Sequence, residues 1–340
     1  MRRAVFLFIW AGAALAADGD LQKASIGDLK LENGGTIRNC VVAYRTFGVL
    51  NGLKSNAILF PTWFSGRSES LADFFGPGKL VDTTRFFGIA VDALGDGHSS
   101  SPSNSQSQPR LKFPEFTIRD MVESQHRLLT GTLGIAHLYA VMGVSMGGMQ
   151  TFQWITAYPE FMDRAIPIVG SPRLSPVDLL LWNTEKHAIE SGKDWLGGNY
   201  AKAPAGTMQV VSDIHEFALS TPRHRNETLT RQGFTDFMRQ SETDTLAGFD
   251  ANDWYRQLEA MLALDVSKPF GGSMADAAKA VRAKVLVIAS AQDHMVNPDA
   301  AIEFSKLLGV RPLILESDCG HLAPGCEGEK VRTAVAAFLQ

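Results

Sequence analysis

Cysteine is scarce in this chain, with three among 340 residues and no paired CxxC, so neither a disulfide scaffold nor a zinc-ligating cysteine cluster is available. HExxH is missing, the eight histidines are scattered, and no GxGxxG follows an apolar run, so neither a catalytic metal nor a nucleotide cofactor is implied. Basic charge is not in excess. Lys+Arg number 32 against 36 Asp+Glu, a formal net charge of -4, which leaves nothing to neutralise a phosphate backbone and makes nucleic acid an unexpected partner. Gly (31) and Pro (15) are at ordinary usage and no repeat or charge block occurs, which excludes collagen-like and disordered classes. What remains is a globular chain, 45% hydrophobic and 20% charged, long enough for one large core. At roughly 150 residues per domain the length alone would allow two.

No apolar run reaches the ~20 residues that a membrane-crossing helix needs. The longest, Ala4 to Ala16, follows Arg2 and Arg3 and ends in Ala14-Leu15-Ala16, the small-x-small pattern that signal peptidase reads. Residues 1-16 are therefore expected to be a signal peptide and the mature chain, from residue 17, to be exported to the periplasm or medium without a stable membrane anchor. An oxidising compartment would permit a bridge between Cys319 and Cys326, seven positions apart, while Cys40 in an apolar run reads as a buried free thiol.

Along the chain, short β-rich runs alternate with stretches of helical spacing. Strands are expected at Val41-Phe47, Ala57-Pro61, Phe86-Val91, Leu138-Met142, Ala165-Val169, Lys284-Ala289 and Pro312-Leu315. A helix opened by Thr117-Ile118-Arg119-Asp120 should run to near Gly134, and Ser99-Gln108 reads as a loop. Strands separated by helices need crossover connections, hence an α/β fold whose mostly parallel sheet is covered on both faces. From about 172 to 280 no convincing strand occurs, and Leu179-Ile189, Gln209-Leu219, Leu229-Met238 and Tyr255-Leu264 carry helical spacing. That stretch is expected to be a helical cap over the carboxyl edge of the sheet, where open α/β sheets bind ligands.

Gly143-Val144-Ser145-Met146-Gly147-Gly148 sits between an apolar strand run and a helical stretch, the context of a nucleophile elbow. Such a turn lifts the Ser145 hydroxyl clear of the sheet and aims the following helix's amides at a developing oxyanion. A serine hydroxyl needs a base, and the base an acid, in the chain order Ser, acid, His. His321 stands in a loop after the last expected strand and is assigned as base. His187, His215 and His224 fall in the cap, where solvated surface roles are expected, and His294 adjoins the acid. Asp293 follows the strand run Lys284-Ala289 and is assigned as the acid, with Asp299 and Asp318 as rivals. For the oxyanion hole, Met146 N-H is one expected donor. The second is expected from the loop Pro61-Gly66, with Phe64 favoured over Trp63.

Beyond these residues the chain resembles the homoserine O-acetyltransferase-like branch of the α/β-hydrolases. The resemblance is carried by Tyr44-Arg45-Thr46-Phe47-Gly48, Gly76-Pro77-Gly78-Lys79, Phe113-Pro114 followed by Thr117-Ile118-Arg119-Asp120-Met121-Val122, and above all Gly143 through Gln150, GVSMGGMQ. It implies Ser145, Asp293 and His321 as nucleophile, acid and base, a helical cap, and acyl transfer through an acyl-serine. It also marks departures. Leu322 follows the histidine where the homoserine enzymes carry an aspartate for the substrate amine. An ungapped match puts Val211 where they carry the arginine for the substrate carboxylate. Thr62-Trp63-Phe64-Ser65-Gly66 replaces their His-Ala-Leu-Thr-Gly. The expected activity is therefore hydrolysis of a small, rather apolar acyl ester. Acyl transfer to an alcohol other than homoserine is the alternative, and a non-catalytic binding protein is the reading from another class. A homodimer is left open.

Overall fold

The computed structural model describes residues 18-340, so the expected signal peptide lies outside the described residues. The apolar runs form β1 (Gln22–Lys30), β2 (Thr36–Phe47), β3 (Ala57–Pro61), β4 (Phe87–Val91), β5 (Leu138–Val144), β6 (Met162–Ile168), β7 (Lys284–Val285), β8 (Ile288–Ser290) and β9 (Leu313–Leu315). They make one sheet in the order β1-β2-β4-β3-β5-β6-β8-β9, with β7 also on β6. The first two pairings, β1 with β2 and β2 with β4, are antiparallel, and every later pairing is parallel.

Two-residue periodicity explains how the sheet serves two cores. Along β3, Leu59 enters one apolar cluster while Ile58 and Phe60 enter the other, and along β5 Val141 faces one while Ala140 and Met142 face the other. A side chain as large as Phe60, fully buried, contributes about 1.5–3 kcal/mol by leaving water. The helices that cover the faces or form the insertion are α1 (Ile118–Arg127), α2 (Met146–Ala157), α3 (Pro176–Ser191), α4 (Ala205–Leu219), α5 (Pro222–Thr228), α6 (Phe234–Gly248), α7 (Ala251–Leu262), α8 (Met274–Ala280), α9 (Asp299–Leu307), α10 (Ala323–Cys326) and α11 (Gly328–Phe338). Among the described residues, no helix is long and apolar enough to cross a membrane.

Local chemistry sets the boundaries. Thr117 and Asp120 form a capping box that starts α1: Asp120 N-H donates to Thr117 Oγ1 at 3.2 Å and Thr117 N-H to Asp120 Oδ2 at 2.9 Å. The expected helix up to Gly134 instead ends its α-helical part at Arg127 and continues as a wide π turn, Leu128–Thr132. Strand β1 was not read from the sequence because its edge position leaves it mostly exposed and bulged, without a clean apolar alternation. The single strand expected over Lys284-Ala289 divides into β7 and β8, both on β6. The helix expected at Leu229-Met238 does not form as such. Thr221 caps α5, Leu229 ends it, and Gly233 precedes a fresh start at α6.

Helices α3 to α8 fill the interval between β6 and β7. Arg173 and Asp265 form an isolated antiparallel bridge, and Val266 N-H donates to Pro172 O at 3.1 Å. The segments flanking α3 to α7 are thus fastened to each other, and α8 follows outside that closure.

Candidate active site

Parallel strands deliver their carboxyl ends to one edge, and three side chains meet there from three different strands. Ser145 follows β5 with φ 59° and ψ -122°, a left-handed backbone that few non-glycine residues adopt, and it opens α2. The flanking glycines make the turn possible. A Cβ on Gly143 would collide with the backbone of Gly147, and one on Gly147 would lie 2.6 Å from Pro61 O.

The three residues form a continuous chain of hydrogen bonds. Ser145 Oγ lies 2.8 Å from His321 Nε2, and His321 Nδ1 lies 2.7 Å from Asp293 Oδ2. Because a carboxylate only accepts, Nδ1 carries the donated proton and Nε2 faces the hydroxyl as acceptor. Asp293 is itself fixed. Its Oδ1 accepts from Met295 N-H and Val296 N-H, both at 2.9 Å. The rival acids are placed elsewhere: Asp299 is exposed at the start of α9, and Asp318 pairs with Arg223 at 3.3 Å and His224 at 3.4 Å.

The loop bearing His321 is held from three sides. Ser290 Oγ donates to Gly320 O at 2.8 Å, and Thr221 Oγ1, from the cap of α5, donates to Asp318 O at 2.5 Å. Cys319 and Cys326 form a disulfide that closes the loop, and Cys40 is the buried free thiol.

Met146 is the first residue of α2, so its N-H has no acceptor one turn back in the helix and points out of its end. In the neighbouring loop Thr62 N-H donates to Val91 O, Ser65 N-H to Gln257 Oε1 and Gly66 N-H to Trp63 O. The amides of Trp63 and Phe64 are the two left uncommitted among the described residues. A link the sequence reading did not draw fastens this loop to α2: Gln150 Nε2 donates to Thr62 O at 3.0 Å, and Gln150 Oε1 accepts from Gln125 Nε2 at 2.6 Å. Gln150 closes the GVSMGGMQ run, so the motif itself was the signal.

Behind the same loop lies a buried acid pair. Ser68 donates to Asp92 through its N-H at 2.7 Å and its hydroxyl at 2.6 Å. Burial raises the Asp96 carboxyl well above its usual range, and the neighbouring Asp92 carboxylate pushes it further the same way.

Ser145 and His321 border a cleft of about 740 Å³ whose wall also includes Phe64, Trp63, Trp182, Ile168, Leu219 and Leu322. The lining is mainly apolar around the hydroxyl and the imidazole, suited to a small ester, and Asp73, Lys79 and Arg332 are the charged residues of its wall. Leu322 is indeed part of the wall, whereas Val211 is fully buried in the core. One expectation fails here. His215, given a solvated role, lines the cleft instead, because its ring packs among Phe64, Trp182 and Trp254.

The sequence pattern of the alpha/beta hydrolase fold family matches residues 58–324. A Corynebacterium glutamicum protein described as a probable esterase is 35% identical over 320 residues, covering 89% of this chain and 90% of its own. The homoserine O-acetyltransferase of Methanococcoides burtonii is 32% identical over 353 residues, covering 92% of this chain and 72% of its own. Among solved structures, the acetyl esterase MekB superposes with a TM-score of 0.88 at 31% identity, over 95% of this chain and 97% of that one. With its parallel sheet, its strand-turn-helix serine and this similarity over nearly the whole described length, the chain belongs to the homoserine O-acetyltransferase-like branch of the α/β-hydrolase family.

Proposed function

We propose that this chain is a serine hydrolase that cleaves a small acyl ester through an acyl-serine intermediate on Ser145. The observation that carries the reading is the unbroken contact from Ser145 Oγ to His321 to Asp293, at 2.8 and 2.7 Å. His321 Nε2 takes the hydroxyl proton as Ser145 Oγ bonds to the ester carbonyl carbon. The carbonyl oxygen becomes an oxyanion, met by the N-H groups of Met146 and Phe64. Collapse breaks the ester C-O bond, and His321 returns the proton to the departing alcohol. Water then repeats the sequence on the acyl-serine, with His321 again moving the proton, and releases the acid. Asp293 holds the imidazole in the tautomer that presents Nε2 and stabilises the cation that forms. No step calls for a metal or a cofactor.

The relatives named as esterases support hydrolysis, and the homoserine acetyltransferase supports acyl transfer as the second reading. Leu322 in the cleft and the buried Val211 favour the first, since neither offers a charge to an amino-acid acceptor. Export through residues 1-16 belongs to the same proposal, and the Cys319–Cys326 disulfide supports it because such bonds persist in oxidising compartments. The test is fluorophosphonate labelling of the protein together with turnover of p-nitrophenyl acetate with and without added homoserine. Labelling and hydrolysis lost in Ser145→Ala, with no acyl-homoserine formed, is the expected result. Undiminished turnover in Ser145→Ala overturns the reading.

A further inference from the structure

A second histidine-carboxylate pair faces the same cleft. Glu185, on α3, is fully buried, and its two oxygens are both engaged: Oε1 accepts from His215 Nδ1 at 3.1 Å and Oε2 from Trp254 Nε1 at 3.1 Å. A buried carboxylate is costly unless donors surround it, so its retention beneath a cleft histidine calls for a purpose. The pairing fixes the ring of His215, which is further boxed by Trp254 and Phe64 with ring centroids 5.2 and 5.8 Å away. With Nδ1 committed, Nε2 is the imidazole's remaining polar atom, on a residue whose side chain lines the cleft beside Ser145 and His321. Trp182, next to it in the wall, has a buried indole N-H with no acceptor among the described residues. The part of the wall built from Phe64, Trp182 and Leu219 thus carries a preoriented imidazole and an N-H that lacks an oxygen.

We propose that His215, oriented by Glu185, is a specificity-determining residue that hydrogen-bonds a free hydroxyl on the substrate, and that the preferred substrates are short hydroxyl-bearing esters. The proposal rests on the hydrolase reading and narrows its substrate class. A hydroxyl suits this position because it both donates and accepts, so it can meet Nε2 in either protonation state, while its oxygen can receive an N-H. His215 does not touch the reacting ester group; it selects and positions.

The test compares matched esters of equal size: 2-hydroxyethyl acetate against n-propyl acetate, and ethyl 3-hydroxybutyrate against ethyl pentanoate, for wild type, His215→Phe and His215→Gln. In one of the two pairs, wild type is expected to favour the hydroxyl ester by about tenfold in kcat/KM, mainly through a lower KM, since a site built for a hydroxyl leaves its polar groups unpaired with the plain ester. His215→Phe should erase that ratio, and His215→Gln, which keeps a polar head, should retain part of it. Equal treatment of both members of both pairs by wild type overturns the proposal without needing any variant. So does a preference that survives in folded His215→Phe. Turnover of none of the four esters overturns this proposal and the hydrolase reading together, whereas turnover without preference overturns this one alone.

Discussion

Asn297 N-H donates to Asp178 Oδ1 at 2.8 Å, so the first turn of the helical insertion holds the loop that carries Asp293. Asp178 is also Ser175's partner in the capping box that opens α3, where its Oδ2 accepts from Ser175 N-H at 2.9 Å. One side chain therefore starts the insertion and braces the proposed catalytic acid from the other end of its turn.

Asp178→Ala should lower kcat on p-nitrophenyl acetate by about tenfold with little change in KM, because the imidazole partner loses a support rather than the cleft a contact. Loss of the helix cap should also reduce stability by about 0.5–2 kcal/mol, read in a denaturant titration. A folded variant with wild-type kcat would show that the Asp293 bonds to Met295 and Val296 suffice.

Gln150 is the strut between α2 and the loop of Trp63 and Phe64. Gln150→Leu keeps the volume but removes the bond to Thr62 O and strands Gln125, at a cost of about 1–3 kcal/mol for a buried unpaired group. If that loop supplies the second oxyanion donor, kcat should fall by about 10² to 10³, the range seen when one such donor is lost. Steady-state kinetics beside a melting curve separates this from simple unfolding.

Asp253 lies against the Ser99-Gln108 loop, where Ser103 donates to it through its N-H at 2.9 Å and its hydroxyl at 2.5 Å. Burial, with Asp250 adding, pushes its carboxyl up to about 7 despite those bonds. The folded state then keeps a proton that the unfolded chain has already lost between pH ~4 and 7, so stability contributed by this group is lost as pH rises through that window. Asp253→Asn should gain stability relative to wild type on going from pH 5 to pH 8, by at most about 3 kcal/mol. A constant difference in Tm between the two proteins across that range would contradict the assignment.

The three cysteines should answer a thiol reagent in two distinct ways. Burial pushes the Cys40 thiol up to about 12, so at pH 8 it has almost no thiolate and no access. The native protein without reductant should take up no iodoacetamide, denaturant alone should release the Cys40 thiol, and denaturant with reductant should expose all three. Mass spectrometry reads each step, and alkylation of Cys319 or Cys326 before reduction would refute the disulfide.

Much of this was legible in the chain because it is local. Ser145 lay in a strand-glycine-turn-helix context, Asp293 at a strand end and His321 in a terminal loop, and each needs only its own neighbours to be recognised. The antiparallel β1 was not, since an exposed edge strand lacks the apolar alternation that marks a buried one. Helix boundaries around Leu229 were also misplaced, because the break there depends on the Thr221-Pro222 start and the turn before Gly233 rather than on apolar spacing.

The residue types by themselves determined the chemistry: a serine in a turn that only flanking glycines permit, with an acid and a histidine following in order. Only the tertiary structure decided what surrounds it. Glu185 and His215 are 30 positions apart, Gln150 and Thr62 are 88, and Asp178 and Asn297 are 119. Bonds over such separations depend on how helices lie against the sheet, and packing of that kind leaves no periodic trace along a single strand of sequence.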